Sequence, residues 1–274
     1  MSYCVLTLAR LNNNDLNNLI LNLNQYFIPN NPNIDLLVFI EKKDKCYIND
    51  VVKYNGKNII FHEIEDFDSN INYKQEISEK VFGFGLSYRL MCRFFSGELF
   101  KILKLYNYTY YLRLDTDSRF TELVRDLFTE FTSLDMSYGY ITILNEPPEV
   151  TLLLVDEVKS YLKNKDNIQN YIIKDHSNQL NFCYYNNFEI VKISEFIVDN
   201  HIDLYEHLDK TNGFIKYRWG DALFRFIYVN LFIPQNKIYY FYNVGYHHKF
   251  QLKNTPFKFI DWDIKSYREN NTVL

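Results

Sequence analysis

The run Tyr110-Tyr111-Leu112-Arg113-Leu114-Asp115-Thr116-Asp117 narrows the possible folds more than any other stretch of this chain. Its bulky residues favour a β-strand, and two carboxylates two positions apart arrive together at the strand's end, both on one side if the extended geometry continues. The segments before it supply a strand, helix, strand order. Val5 to Leu8 reads as a buried strand, and a helix over 15–27 carries Leu16, Leu19, Ile20, Leu23 and Phe27 at helical spacing until Pro29 and Pro32 stop it. Ile34 to Ile40 is the next strand and Ile59-Ile60-Phe61 a third. That order predicts an α/β domain with a mostly parallel central sheet flanked by helices.

Further along, Tyr88, Met91, Cys92, Phe95, Leu99, Ile102 and Leu103 mark one face of a helix over about 86–105, with Arg89 and Arg93 four apart on another face. Those two arginines are either solvated or turned toward a phosphate, which a guanidinium holds through two oxygens. After the acids come a segment over 123–131, a strand at 138–143, a break at Pro147-Pro148 and a helix at 150–162. The stretch Phe182 to Ile190 mixes packing residues with carboxamides and one acid, Glu189. A short helix begins near Ser194, Asp221 opens another that carries Leu223, Phe224, Ile227 and Leu231, and Ile238 to Tyr242 reads as the terminal strand before His247 and His248. The whole chain, 1–274, is expected to form one domain, with a donor-nucleotide half to about 117 and an acceptor and catalytic half from 118.

At 274 residues and 47% hydrophobic, the chain is long enough for one substantial core. Its 30 basic and 34 acidic side chains give a net charge of -4, which argues against a duplex-DNA surface and leaves room for a local basic phosphate pocket. No nucleic-acid partner is expected. The four cysteines are too scattered for a CxxC metal signature, and there is no HExxH. The first ten residues read as the opening strand and not as a signal peptide, and no apolar run approaches membrane-spanning length. A soluble domain without an integral membrane segment is therefore expected.

Two carboxylates and a late histidine can hold a divalent cation, and the natural use of such a cation here is to grip the diphosphate of a nucleotide sugar. Asp117 is the preferred direct ligand. Asp115 is left to bind metal, through water or directly, or ribose. His248 completes the shell through an imidazole nitrogen, which suits Mn²⁺ better than an all-oxygen Mg²⁺ cage. Glu189 is expected near the reaction centre as nucleophile, oxocarbenium stabiliser or orienting acid. Asp221 is expected to orient a hydroxyl or sugar, to favour the start of its helix, or to support another ligand.

Taken together, Thr7-Leu8-Ala9-Arg10, Ser87 to Gly97, Tyr110 to Asp117, Tyr138-Gly139-Tyr140, Asn187-Phe188-Glu189-Ile190, Gly213 to Ala222 and Tyr239 to His248 resemble, in order, the fungal α-1,2-mannosyltransferases of glycosyltransferase family 15. The resemblance implies a GT-A-like nucleotide-sugar transferase fold, GDP-mannose as donor, Mn²⁺ (or Mg²⁺) dependence, and retaining α-1,2 transfer to a mannose-containing glycan or glycoprotein. By the same resemblance Asp117 and His248 hold the metal and Glu189 is the proposed nucleophile. Arg10 belongs to the donor site, Arg89 and Arg93 support the phosphate or acceptor pocket, and Tyr88 shapes the sugar site. The alternatives are another nucleotide-sugar donor, a binding-only relative without turnover, or a metal-dependent phosphohydrolase. Two departures stand out: family members usually carry Glu-Pro-Asp where this chain has Asp115-Thr116-Asp117, and the stretch from Cys183 to Glu189 lacks their His and Trp.

Overall fold

The structure is a computed structural model that describes residues 1–67, 77–78, 84–163, 165 and 182–248. The first half contributes β1 (Tyr3–Ala9), α1 (Asp15–Asn22), β2 (Asp35–Glu41), β3 (Ile59–Ile64), α2 (Leu86–Arg93), α3 (Leu99–Leu103) and β4 (Tyr110–Leu114). Next come β5 (Ser118–Phe120), α4 (Leu127–Ser133), β6 (Tyr138–Tyr140), β7 (Ile143–Asn145), α5 (Leu154–Leu162), β8 (Phe182–Tyr184) and β9 (Phe188–Lys192). The described chain closes with α6 (Asp199–Lys210), α7 (Gly213–Lys216), α8 (Asp221–Phe232), β10 (Ile238–Tyr240) and β11 (Tyr246–His248).

Seven strands form the central sheet in the order β10-β6-β9-β4-β1-β2-β3. Neighbours run parallel except at β9, which lies antiparallel between β4 and β6. Every residue of β2 and of β4 is buried, as strands covered by helices on both faces must be. Strand alternation then divides the core in two. Cys4, Leu6 and Tyr111 pack with Phe95, Leu99 and Leu223 on one face, whereas Val5, Leu36 and Leu112 pack with Leu16, Leu19 and Phe128 on the other.

The expected helix over 86–105 is one rod with a π-helical turn at Phe94–Glu98 between α2 and α3. Gly97 sits in that turn, where a Cβ would fall 2.3 Å from the Tyr205 ring of α6. Other expectations need correction. The helix expected at 150–162 is broken by Leu153, whose left-handed φ of 60° separates a 3-10 turn from α5. The strand at 138–143 ends at Tyr140, and Ile143–Asn145 leaves the main sheet to pair with β8. The stretch from Phe182 to Ile190 is two strands, β8 and β9, separated by a turn. The segment over 123–131, given no element type from sequence, holds the start of α4 at Leu127, where the Asp126 side chain caps the helix by accepting from the Thr129 amide. Neither α6 nor the β5–β11 pair was anticipated, because β5 and β11 are three residues each and show no periodicity of their own.

Candidate active site

β4 stops at Leu114, and the Ser118 amide donates to the Asp115 carbonyl at 2.9 Å, so Asp115-Thr116-Asp117 is a turn and not extended strand. The two acids therefore meet through this turn instead of through the pleat assumed from their spacing. β11 then pairs antiparallel with β5, setting His248 opposite Ser118. As a result His248 Nε2 lies 2.8 Å from Asp117 Oδ1 and 3.9 Å from Asp115 Oδ2. One ligand atom from each of Asp115, Asp117 and His248 falls within 4.8 Å of the others. Oxygen and nitrogen donors at about 2.0–2.4 Å from a shared ion sit about 3–4.5 Å apart, so the set suits one divalent cation. The donor chemistry, two carboxylates and an imidazole, fits Mn²⁺. Behind the ring, Nδ1 meets the Tyr185 hydroxyl at 2.9 Å, a contact that fixes the imidazole and leaves Nε2 for the acids.

Arg113 joins this cluster to the core. Alternation along β4 puts Tyr111 and Arg113 on the same face. The Arg113 guanidinium donates to Asp115 Oδ1 at 3.1 Å and to Asp221 Oδ2 at 2.5 Å, while lying 3.6 Å over the Phe95 ring. Asn186 donates to the same Asp221 oxygen at 2.9 Å. Burial alone would raise the Asp221 carboxyl, but Arg113 and these hydrogen bonds outweigh it and hold that carboxyl below the usual range. For Asp115 burial wins: its carboxyl is raised against the pull of Arg113 and His248.

Glu189 is opposite Arg113 in the β4–β9 register and has no exposed surface. Its oxygens accept from Arg225 Nε at 3.0 Å and from the Tyr111 hydroxyl at 2.9 Å. The acid expected near the reaction centre is thus held in a buried ion pair, its oxygens turned to Arg225 and Tyr111. Asp221, at the first position of α8 and 5% exposed, likewise orients Arg113 and does not face solvent. Arg89 is buried with its guanidinium on the carbonyls of Ile215, Lys216 and Phe84, so it fastens α2 to α7. Arg93 forks onto Asp209 at 2.6 and 2.7 Å and fastens α2 to α6. Both arginines, expected either in solvent or as supports of the phosphate or acceptor pocket, are engaged in these helix ties. Arg10 and Tyr88 do converge. With Ala9, Glu41, Phe67 and Thr116 they line a cavity of about 270 Å³ that reaches the middle of the Asp-Thr-Asp turn.

Arg113, Tyr185 and Arg225 received no role from sequence alone. An arginine inside an otherwise apolar strand, two residues before an acid, was the one signal for Arg113. Tyr185 and Arg225 acquire partners only through tertiary packing.

A sequence profile of the family described as glycolipid 2-alpha-mannosyltransferase matches residues 61–270. The chain belongs to this family. Among its relatives, glycolipid 2-alpha-mannosyltransferase 1 of Candida albicans is 30% identical over 208 residues, covering 72% of this chain and 47% of that protein. O-glycoside alpha-1,2-mannosyltransferase homolog 3 of Schizosaccharomyces pombe is 32% identical over 180 residues, 61% of this chain and 47% of that one. The chain thus spans about half the length of these relatives. In structure it is similar to the mannosyltransferase Ktr4p of Saccharomyces cerevisiae in complex with GDP, with a TM-score of 0.76 and 22% identity over 90% of this chain and 71% of that one. Core-mannan synthase A of Aspergillus fumigatus in its Mn/GDP form gives a TM-score of 0.74 and 22% identity over 91% and 75%. The fold is GT-A-like, as the resemblance implied.

Proposed function

We propose that this chain is a metal-dependent retaining glycosyltransferase that moves mannose from GDP-mannose to a hydroxyl of a mannose-containing glycan in α-1,2 linkage. The observation that carries this reading is the convergence of Asp115, Asp117 and His248, with Thr116 between the two acids lining a cavity together with Arg10 and Tyr88. Membership of the glycolipid 2-alpha-mannosyltransferase family supports the sugar and the linkage, and the similar fold of a mannosyltransferase in complex with GDP supports the nucleotide. Residues up to about 117 would form the donor-nucleotide half and those from 118 the acceptor side.

Asp117 and His248 would hold a Mn²⁺ ion, with Asp115 beside them. When bound, such an ion neutralises charge on the departing diphosphate. Tyr185 keeps the imidazole in place, and Arg113 keeps Asp115 in place through the Asp221 pair. Arg10 and Tyr88 would flank the nucleotide in the cavity. Because the Glu189 oxygens are buried against Arg225 and Tyr111, attack from the leaving-group side suits this site better than a glycosyl-enzyme through Glu189. In that course the C1–O(phosphate) bond breaks, the acceptor oxygen bonds to C1, and its proton passes to the departing phosphate oxygen.

No helix among the described residues is long and apolar enough to cross a membrane. A panel of nucleotide sugars with mannose and methyl α-mannoside in Mn²⁺, followed by linkage analysis, tests the assignment. Donor-specific α-1,2 product that disappears in a folded Asp117→Asn variant is the expected result. Full transfer by that variant, or cleavage of every nucleotide sugar regardless of acceptor, would reject it; the latter is hydrolase behaviour.

A further inference from the structure

The turn that presents Asp115 and Asp117 has little of its own to hold it. Asp115, Thr116, Asp117 and Ser118 occupy its four positions, closed by the Ser118 amide on the Asp115 carbonyl at 2.9 Å. Neither central residue has a positive φ, which excludes a type II turn, and neither is a proline that would fix φ. Among the described residues the Thr116 amide makes no hydrogen bond. Yet Asp117 Oδ1 has to meet His248 Nε2 at 2.8 Å, and rotating the peptide between Thr116 and Asp117 would carry the carboxylate away from the imidazole.

The brace comes from Arg119, the middle residue of β5. Its Nη1 donates to the Thr116 carbonyl at 2.8 Å and also to the Ser118 carbonyl. A terminal guanidinium nitrogen carries two hydrogens, so these two bonds use it fully. The two carbonyls belong to the residues immediately before and after Asp117. Both bonds go to backbone, which leaves the Asp117 carboxylate to His248 and a cation. Arg119 is half-buried, and burial lowers its pKa while the charges of Asp15, at the start of α1, and of Asp117 oppose that effect. The strand it works from is itself anchored. Asn22 of α1 exchanges hydrogen bonds of 2.7 and 2.8 Å with the Phe120 backbone, and the Thr121 amide donates to the Gly245 carbonyl at 2.9 Å.

We propose that Arg119 is a positioning residue for the metal site: from β5 it staples the carbonyls on either side of Asp117 and so sets where that carboxylate meets His248 and the cation. It donates no ligand atom. Hydrogen bonds from a charged guanidinium are stronger than those between neutral groups, which suits a brace on a turn that lacks one of its own. A pure charge role predicts the opposite sign, because a positive group beside the site repels a divalent cation. The inference rests on the transferase reading above for the use made of the cation, but the staple itself is a matter of metal binding alone.

An EPR titration with Mn²⁺ alone, without donor or acceptor, tests this on Arg119→Met, Thr116→Pro and the two combined. Arg119→Met is expected to raise the Mn²⁺ Kd about tenfold and to broaden the spread of zero-field splitting in the bound-ion spectrum. Thr116→Pro fixes φ at the second position of the turn, where proline is favoured, and removes no hydrogen bond. In the double variant it should recover most of the lost affinity, while in the presence of Arg119 it should change the Kd by less than about threefold. If Arg119→Met does not fold, Arg119→Gln, polar but too short to reach Thr116, takes its place with the same expectations. Unchanged or tighter Mn²⁺ binding by the Arg119 variant, a loss that Thr116→Pro leaves in place, or no Mn²⁺ binding by the wild type overturns the inference. Mannosyl transfer by a wild type whose Mn²⁺ affinity ignores Arg119 sinks the staple alone. The expected Mn²⁺ pattern in a protein that consumes no GDP-mannose sinks the transferase reading instead and leaves the staple standing.

Discussion

The side chains that matter most here are held by other side chains. Arg113 is 2% exposed on its side chain and lies between Asp115 and Asp221, so its charge is useful only while both acids stay. Burial works against that charge, and the neighbouring carboxylates more than offset it. Replacing it with methionine keeps volume but leaves Asp221 buried without its guanidinium. Arg113→Met is therefore expected to cost about 3–5 kcal/mol in urea denaturation, and a loss below about 1 kcal/mol would show the pair to be dispensable. Tyr185 has a gentler role: losing its hydroxyl frees one imidazole nitrogen without removing a ligand. Tyr185→Phe should weaken Mn²⁺ binding about tenfold in an EPR titration while leaving stability nearly unchanged.

At the level of elements, the rod from Leu86 to Leu103 shows how a short departure from α geometry serves packing. The π-helical turn at Phe94–Glu98 admits the Tyr205 ring against Gly97, and Tyr205 in turn donates to Glu98 at 2.9 Å. Gly97→Ala would place a methyl group inside that ring. We expect it to destabilise the protein by about 1–3 kcal/mol by chemical denaturation, with Gly97→Ala/Tyr205→Leu recovering part of the loss. β5 and β11 make a different case, since three residues apiece are worthless alone and matter only as a pair that carries His248 to Asp117.

For the whole molecule, β9 is the seam. It runs antiparallel between β4 and β6 and brings Glu189 beside Arg113, so residues on both sides of the Asp-Thr-Asp turn share one buried charge network. Stability should depend on pH through that network. Asp221 has a depressed folded pKa, so its contribution is present above the unfolded value of about 3.9 and is lost as pH falls through the lower folded value. Between about pH 4 and 3 the wild type should lose stability with a steeper slope than Asp221→Asn, measured by urea midpoints at each pH. Parallel slopes would show that Asp221 does not titrate on unfolding.

Much was legible in advance where local physics decided it. The apolar periodicity of α1, the buried runs of β1, β2 and β4, and the acids at the end of β4 all follow from neighbours in sequence. The ordered motifs carried the family and the GT-A-like fold. For Arg89, Arg93 and Glu189 the partners were not legible for one shared reason: a charged side chain on a helix or strand advertises its charge in the sequence, but which buried partner it meets depends on residues far along the chain. Ile215 for Arg89, Asp209 for Arg93 and Arg225 for Glu189 lie 126, 116 and 36 positions away. The sequence by itself determined which segments form the long buried strands and the first amphipathic helices, because burial of apolar faces is a local pattern. Only the tertiary structure decided which charges remain available to a substrate, because that is settled by long-range partners competing for each ion inside the core.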